Sequence, residues 1–112
     1  MITIEDFKKL EIKIGEILSA EKVEGTDKLL KLSVNFGEEA PRQIVSGIAT
    51  YFENINDLVN KKCAFAFNLE PRVIKGLESQ GMILAVSGGE GDSSFFSLLE
   101  TKQNTPPGSQ VK

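Results

Sequence analysis

One strictly alternating stretch, KLLKLSVNFG at residues 28–37, is the most direct indication of the fold. Its apolar and polar residues fall on opposite parities: Leu30, Leu32, Val34 and Phe36 on one, and Lys31, Ser33 and Asn35 on the other. A period of two with one apolar face is typical of a half-buried strand. The stretch therefore predicts a β-strand whose one side faces a core and whose other side faces solvent or a ligand.

Segments on both sides repeat this pattern. LEIKIGEILSAEKV predicts a long first strand whose parity changes after Gly15, and a glycine at such a change predicts a bulge. Three later segments predict further strands, RQIVSGIA, CAFAFNL and GMILAVS, and the turn GGEGDSS leads into a last apolar run, FFSLLE. Residues 50–62 lose the alternation and predict one or two helical turns. TIEDF predicts a short helix over residues 4–9, capped by Thr3.

Five or six short strands with one helical insertion predict an all-β, closed or nearly closed barrel. The insertion lies between the third and fourth strands, as in the five-stranded oligonucleotide/oligosaccharide-binding barrel (OB fold), here with an N-terminal helix and a C-terminal hairpin and tail. The pattern alone leaves other small barrels open. A length of 112 residues predicts a single domain over 1–112.

The residues that alternate with the core positions of the predicted fourth strand are Ala64, Ala66 and Asn68, and their small size has two interpretations. Small side chains could leave a shallow surface, flanked by Lys31 and Ser33, that is open to a ligand. They could equally pack against the helix or a partner chain.

Composition favours a non-catalytic protein in the cytoplasm. The chain has no histidine, the commonest general base and metal ligand, and it has no metal-loop spacing or nucleophile-elbow motif. We therefore expect neither a catalytic residue, nor a metal, nor a cofactor. No apolar run is long enough for a membrane span, and the acidic N-terminus does not resemble a signal peptide. The lone Cys63 is expected to be a small buried hydrophobe.

The charge is distributed unevenly. The net charge is −3, yet residues 28–75 hold seven Lys or Arg against five Asp or Glu. Within this part, the turn-rich stretch NLEPRVIKGLESQGM, residues 68–82, places Arg72 and Lys75 in a loop between two predicted strands. Such loops face water and often touch ligands. The alternative is that these cations are ordinary solvated surface residues.

Six ordered motifs identify a family resemblance. In chain order they are DFKKLEIKIGEI, DKLLKLSVNFG, RQIVSGIA, NLEPR, GLESQGMILA and PPGSQV. Together they closely resemble the tRNA-binding domain of the methionyl-tRNA synthetase C-terminal type, which also occurs in structure-specific tRNA-binding proteins and in endothelial-monocyte-activating polypeptide. The resemblance implies an OB-fold barrel that holds tRNA by shape and phosphate backbone, as a homodimer or as an accessory part of methionyl-tRNA synthetase.

The resemblance also implies the binding residues. The matching positions are Lys28, Lys31, Arg42, Ser46, Asn68, Arg72, Ser79 and Met82, and Lys75 lies in the same loop. The cations can meet phosphates, the polar side chains can bond to phosphate, 2′-hydroxyl or base edges, and Met82 can give an adaptable apolar contact.

A chaperone-like secretion protein that binds peptides is the alternative. That branch is similar in DFKKLEIKIGEI and PPGSQV, whereas RQIVSGIA and SQGM resemble the tRNA branch more. Dimerisation is implied by the resemblance and fits the apolar residues Ile2, Ile4 and Phe7, which a small barrel need not bury by itself. Most phenylalanines occupy the core-facing positions of their predicted strands, so few aromatic rings are left on the surface for bases to stack on. Structured RNA is therefore favoured over single strands as the ligand.

Overall fold

Nine strands and one short α-helix make up the protein, in a computed structural model that describes residues 1–112. The elements are α1 (Ile4–Lys8), β1 (Ile12–Lys22), β2 (Leu30–Asn35), β3 (Arg42–Ser46), β4 (Lys62–Ala66), β5 (Arg72–Ile74), β6 (Leu77–Ser79), β7 (Met82–Ile83), β8 (Ala85–Gly88) and β9 (Phe95–Leu98). Three short 3₁₀ helices lie at Ala49–Tyr51, Ile55–Leu58 and Gly91–Ser93.

Five of the strands form one antiparallel sheet in the order β3-β2-β1-β4-β7, and the pairs β5-β6 and β8-β9 form separate hairpins. The five-stranded sheet curls so that its two edge strands approach each other, and the Gln80 amide just before β7 donates to the Gln43 carbonyl of β3 at 2.8 Å. The predicted all-β, barrel-like architecture is confirmed at this level.

The inner face of the sheet carries the core. Leu30, Leu32 and Val34 of β2 are fully buried, while the residues between them are only partly covered, as the alternation predicts. Phe65 and Cys63 of β4 lie in the same cluster with no exposed surface, so the prediction of a buried cysteine is confirmed.

The predicted N-terminal helix is also present. The Thr3 hydroxyl accepts from the Asp6 amide at 3.1 Å, and the Asp6 carboxylate accepts from the Thr3 amide at 3.3 Å, which completes a capping box. The expected helical turns in residues 50–62 are the first two 3₁₀ helices, and Leu58 of the second is fully buried.

The predicted bulge at Gly15 is wrong in position. The pairing of β1 with β2 shifts between Ile17 and Ser19, so the residue without a partner is Leu18, three positions after the glycine. Gly15 is needed for packing, since a Cβ there would lie 2.5 Å from the Val34 Cγ1 atom. The inward face of β1 passes so close to β2 that it leaves no room for a side chain.

The stretch predicted as a loop, residues 68–82, contains the hairpin β5-β6. Lys75 and Gly76 form its two-residue turn and both have positive φ, 51° and 79°, as type I′ turns require. The predicted fifth strand is divided at Leu84 into β7, which pairs with β4, and β8, which pairs with β9.

Of the two interpretations of the small residues of β4, the structure supports packing for Ala64 and Ala66. Ala64 is 7% exposed and Ala66 is 2% exposed within the single chain. Ala66 pairs with Ile12 of β1 on one side and with Met82 of β7 on the other, so larger apolar residues flank it on the outer face. Burial of Ala64 and Ala66 thus follows the packing interpretation, whereas the exposed Asn68 lines a cleft of about 660 Å³ with Arg42 and Phe67.

Candidate nucleic-acid interface

The hairpin β5-β6 is fastened to the outer side of β3. The Ser79 hydroxyl accepts from the Val45 amide at 3.0 Å and donates to the Gly81 carbonyl at 3.0 Å. The Gln43 side-chain amide donates to the Glu78 carbonyl at 2.9 Å, and the Gln43 backbone amide donates to the Gln80 side chain at 3.1 Å. These bonds place the residues of the hairpin at a fixed position beside β2 and β3.

Four of the predicted cations lie on this side of the sheet. Lys31 of β2 pairs with Val45 of β3. Val45 is buried, and its backbone amide donates to Ser79 of the hairpin. Arg72 shares a face of β5 with Ile74, since residues two apart on a strand point the same way. Ile74 lines a cleft of about 450 Å³ together with Lys28 and Lys75. We call Lys28, Lys31, Arg72 and Lys75 the cationic wall.

Three members of the cationic wall have no acidic partner. Lys31 lies 3.3 Å from the Glu21 carboxylate, which lies opposite it on β1. Lys28, Arg72 and Lys75 are exposed and form no ion pair in the protein. No ion pair has to be broken before these three cations meet an anion, and Asp27 is the one carboxylate that lines the cleft beside Lys28 and Lys75.

Arg42 differs from the wall cations. It shares a strand face with Ile44, which belongs to the core, and its guanidinium binds both oxygens of Glu38, at 2.9 and 3.2 Å. One of its amino groups donates to the Phe67 carbonyl at 2.8 Å, and its central carbon lies 3.6 Å from the centre of the Phe67 ring. Bidentate pairing and stacking on an aromatic ring fix Arg42 within the protein.

Asn68 and Ser79 have their polar atoms occupied as well. The Asn68 side chain donates to the Lys9 carbonyl at 2.7 Å and accepts from the Glu11 amide at 2.8 Å, which ties the end of α1 to the end of β4. Ser79 is 2% exposed, and both of its hydroxyl bonds are internal. The structure gives both residues a positioning role.

The other two predicted residues, Ser46 and Met82, do not line the cleft of Lys28 and Lys75. Ser46 is half-buried at the end of β3, on the same strand face as Ile44, where it pairs with Leu30. Met82 is 42% exposed on the outer face of β7, beside Ala66. The structure thus places Lys28 and Lys75 on one cleft, with Arg72 on the adjoining strand and Lys31 on β2, while Ser46 and Met82 do not line that cleft.

Sequence reasoning missed two glutamines that hold the interface together. Gln43 and Gln80 bond to each other through backbone and side chain, and Gln43 also bonds to the hairpin. Gln43 lines a second cleft, of about 310 Å³, with Lys31 and Ser33. The only sequence signal was the outward parity of Gln43 in its strand, because its partners are distant along the chain.

No group of three or more His, Cys, Asp or Glu side chains could hold a metal ion. Burial raises the pKa of the Cys63 thiol to about 12, so the thiolate nucleophile is disfavoured. No helix is both long and apolar enough to cross a membrane.

Comparison with known proteins gives consistent matches. The family model described as "Putative tRNA binding domain" matches residues 12–110. A methionine–tRNA ligase of Caldanaerobacter subterraneus subsp. tengcongensis is 46% identical over 110 residues, which are 98% of this chain and 16% of that relative. A methionine–tRNA ligase of Methanospirillum hungatei is 49% identical over 111 residues, with shares of 99% and 16%. The chain thus spans about a sixth of the length of these relatives.

Solved structures of other proteins match the fold of this chain over its entire length. A MetRS-related protein from Pyrococcus horikoshii matches with a TM-score of 0.87 and 36% identity, covering 100% of this chain and 98% of that one. The chaperone CsaA of Bacillus anthracis matches with a TM-score of 0.80 and 26% identity, covering 100% and 99%. With the family model matching nearly the whole sequence, the chain belongs to the tRNA-binding domain family.

Proposed function

We propose that this domain binds folded tRNA through its phosphate backbone, with the cationic wall as the contact surface. The observation that carries the proposal is the shared cleft of Lys28 and Lys75, two cations without acidic partners from distant parts of an acidic chain. Phosphate contacts dominate the affinity of proteins for nucleic acids. Cations held on two fixed elements can match the spacing of phosphates in a folded RNA.

Folded tRNA suits this surface better than a single strand. None of the four wall residues is aromatic, and Phe36, Phe65 and Phe67 lie in the core. Proteins that bind single strands stack successive bases on aromatic side chains along the cationic groove. A surface of cations without such platforms fits recognition of contour and backbone, with little reading of sequence.

Within this proposal, the predicted residues have two kinds of role. Lys28, Lys31, Arg72 and Lys75 contact phosphates. Arg42, Asn68 and Ser79 position the strands and the hairpin that present them. Ser46 and Met82, which do not line the cleft, lie at the margin of a large ligand.

The curled sheet fits an OB-fold barrel, and the domain acts without catalysis, in the cytoplasm. The inert environment of Cys63 and the lack of histidine support a binding role. As the methionine–tRNA ligases are matched over about a sixth of their length, the domain could serve either as part of such an enzyme or as its accessory subunit. In both cases its contribution to translation is to increase the affinity for tRNA.

Dimerisation is a further part of the proposal. Ile2 and Ile4 are 73% and 61% exposed, and Phe7 and Val111 line a groove of about 290 Å³ between α1 and the C-terminal tail. Exposed apolar side chains clustered at one end favour a second copy as the covering surface. Light scattering at micromolar concentration should give twice the chain mass of 12.3 kDa, and a species of the chain mass alone would contradict dimerisation.

A titration with bulk tRNA and with single-stranded RNA of similar length tests the function. The account predicts tighter binding of folded tRNA, and the logarithm of the association constant should fall with the logarithm of salt by about 0.7 to 0.9 per phosphate contacted. Equal affinity for both RNAs, or binding insensitive to salt, would contradict it.

Peptide binding is the second candidate function, favoured by the similarity to the chaperone CsaA over the whole chain. The higher identity of 36% to the MetRS-related protein, against 26%, supports the tRNA function. A reduced, unfolded model protein can be added to the same titration. If it binds, and competes with tRNA, the second candidate replaces the first.

A further inference from the structure

The hairpin β8-β9 and the first 3₁₀ helix form a second exposed surface, which shares no lining residue with the cleft of Lys28 and Lys75. A groove of about 470 Å³ lies between them, lined by Tyr51, Ser87, Gly88, Gly89, Ser94, Phe95 and Phe96. We call this surface the aromatic face.

Its aromatic rings are held in place and yet open to solvent. Tyr51 stacks on Phe96 with 4.0 Å between ring centres and 7° between planes, and Phe96 packs against the core. Tyr51 remains 53% exposed and Phe95 55% exposed. The ring of Phe95 lies over Gly88, where even a Cβ would come within 2.9 Å of it. Two rigid rings with free faces are thus presented to a partner.

The two segments that carry these rings contain charges of one sign only. The two segments that build the face, residues 49–58 and 85–98, contain Glu53, Asp57, Glu90 and Asp92 and no Lys or Arg. The Lys28 carbonyl accepts from the Ala49 amide at 2.9 Å, so Lys28 marks the border with the cationic wall. The free carboxylates of the face take part in no ion pair.

We propose that the aromatic face binds an arginine- or lysine-bearing segment of a protein partner. Cations are attracted to the faces of aromatic rings, at about 0.5 to 1 kcal/mol for each exposed contact, and the carboxylates of the same two segments add to the attraction. The same carboxylates repel phosphates, which argues against RNA at this place. The protein then has two surfaces of opposite preference, one for a polyanion and one for a basic segment.

The protein contains its own reporter of this site. Tyr51 is the only tyrosine and the chain has no tryptophan, so intrinsic emission arises from the aromatic face alone. The probe is a short synthetic peptide that alternates arginine and serine, added at low salt, with a glutamate and serine peptide of equal length as its control. The arginine peptide should change the emission of Tyr51 until it saturates, and the acidic peptide should not.

Variants separate the ring from the charges. Phe95→Leu keeps an apolar cover over Gly88 but removes the ring face, and we expect it to weaken peptide binding about twofold to fivefold. The pair Glu53→Gln with Asp92→Asn should weaken it to a similar extent. The matched pair Glu24→Gln with Glu70→Gln, exposed carboxylates elsewhere without ion pairs, should leave it unchanged. Thermal unfolding checks that each variant is folded.

Several results would overturn the proposal. The first is that the arginine peptide leaves the emission of Tyr51 unchanged. The second is that the acidic peptide changes the emission as much as the arginine peptide does. The third is that folded Phe95→Leu binds the arginine peptide as tightly as the native protein. Quenching by polyuridylate that Phe95→Leu abolishes would assign the face to nucleobases. Self-association that the same variant abolishes would assign it to a second copy. Since tRNA binding is measured separately on these variants, failure here leaves the proposed tRNA function standing.

Discussion

The Arg42 guanidinium lies 3.6 Å from the centre of the Phe67 ring and donates to the Phe67 carbonyl. One side chain thus joins the start of β3 to the residue that follows β4, while Glu38 binds its other edge. Arg42, one of the cations that the family resemblance assigned to tRNA binding, therefore has several partners within the protein. The cations left for a ligand are those on the cationic wall.

Arg42→Lys should therefore affect stability more than tRNA binding. A lysine cannot stack on the ring and bind both Glu38 oxygens at once, so we expect a loss of about 1 to 3 kcal/mol in the free energy of unfolding, measured with urea. Arg72→Lys is the control, because Arg72 is exposed without an ion pair and should lose little stability. An Arg42→Lys protein of unchanged stability and much weaker tRNA binding would make Arg42 a phosphate contact.

Ser79→Ala should loosen the hairpin. The substitution leaves the buried amide of Val45 without its acceptor, at a cost of about 1 to 3 kcal/mol. The exposed Ser93, whose hydroxyl makes no hydrogen bond in the protein, provides the comparison Ser93→Ala, for which urea denaturation should show almost no change. Ser79 would be a ligand contact if its alanine variant kept full stability but lost affinity for tRNA.

Gly15→Ala should destabilise the core. The added methyl group would lie 2.5 Å from Val34, and such overpacking typically costs about 1 to 3 kcal/mol. Gly47→Ala is the matched control, since its Cβ would meet only Leu29, at 4.0 Å. Equal midpoints of thermal unfolding for the two variants would show that β1 and β2 have more room than the structure indicates.

Cys63 should be unreactive and should make stability depend on pH in the alkaline range. Its pKa is raised from 9.0 to about 12 by burial, so the unfolded chain loses this proton first as the pH rises. The contribution of the thiol to stability is complete below about pH 9 and is lost progressively towards about pH 12.

The measurement for Cys63 compares the protein with Cys63→Ala. The difference in unfolding free energy between the two proteins should be constant below about pH 9. Above that pH, the native protein should lose stability relative to Cys63→Ala. Iodoacetamide near neutral pH should modify the thiol only as fast as the chain opens. Rapid modification of the folded protein would contradict the burial of Cys63.

The features that the sequence predicted correctly depend on local signals. The alternation of Leu30, Leu32 and Val34 predicts β2 because the period of a strand is set by its own backbone. The capping box of Thr3 and Asp6 likewise needs only neighbours three residues apart. These signals are sufficient for a curled all-β sheet with a short N-terminal helix.

The features that it missed depend on contacts between distant segments. The hairpin β5-β6 is stabilised by the bond from Val45 to Ser79, which no local pattern reveals. The internal partners of the predicted binding residues are also distant along the chain. In the sequence, Arg42 and Asn68 look like free polar groups, and only the fold places Phe67 beside Arg42 and Lys9 beside Asn68. A match to family positions marks residues that matter but does not distinguish contact from support.

The most direct test of the central claim removes the two free cations of the hairpin. Arg72→Gln with Lys75→Asn removes both charges, and asparagine tolerates the positive φ of residue 75, so the turn is preserved. The matched control is Lys102→Ala with Lys112→Ala, which removes two exposed cations without ion pairs outside the cationic wall.

Affinity for folded tRNA is measured on all three proteins over a range of salt. The account predicts that the hairpin variant binds about tenfold more weakly at low salt and loses about 1.4 to 1.8 from the slope of log affinity against log salt, while the control pair retains both values. Equal affinity and slope for the native protein and the hairpin variant, or an equal loss in the control pair, would contradict a tRNA surface built on the cationic wall.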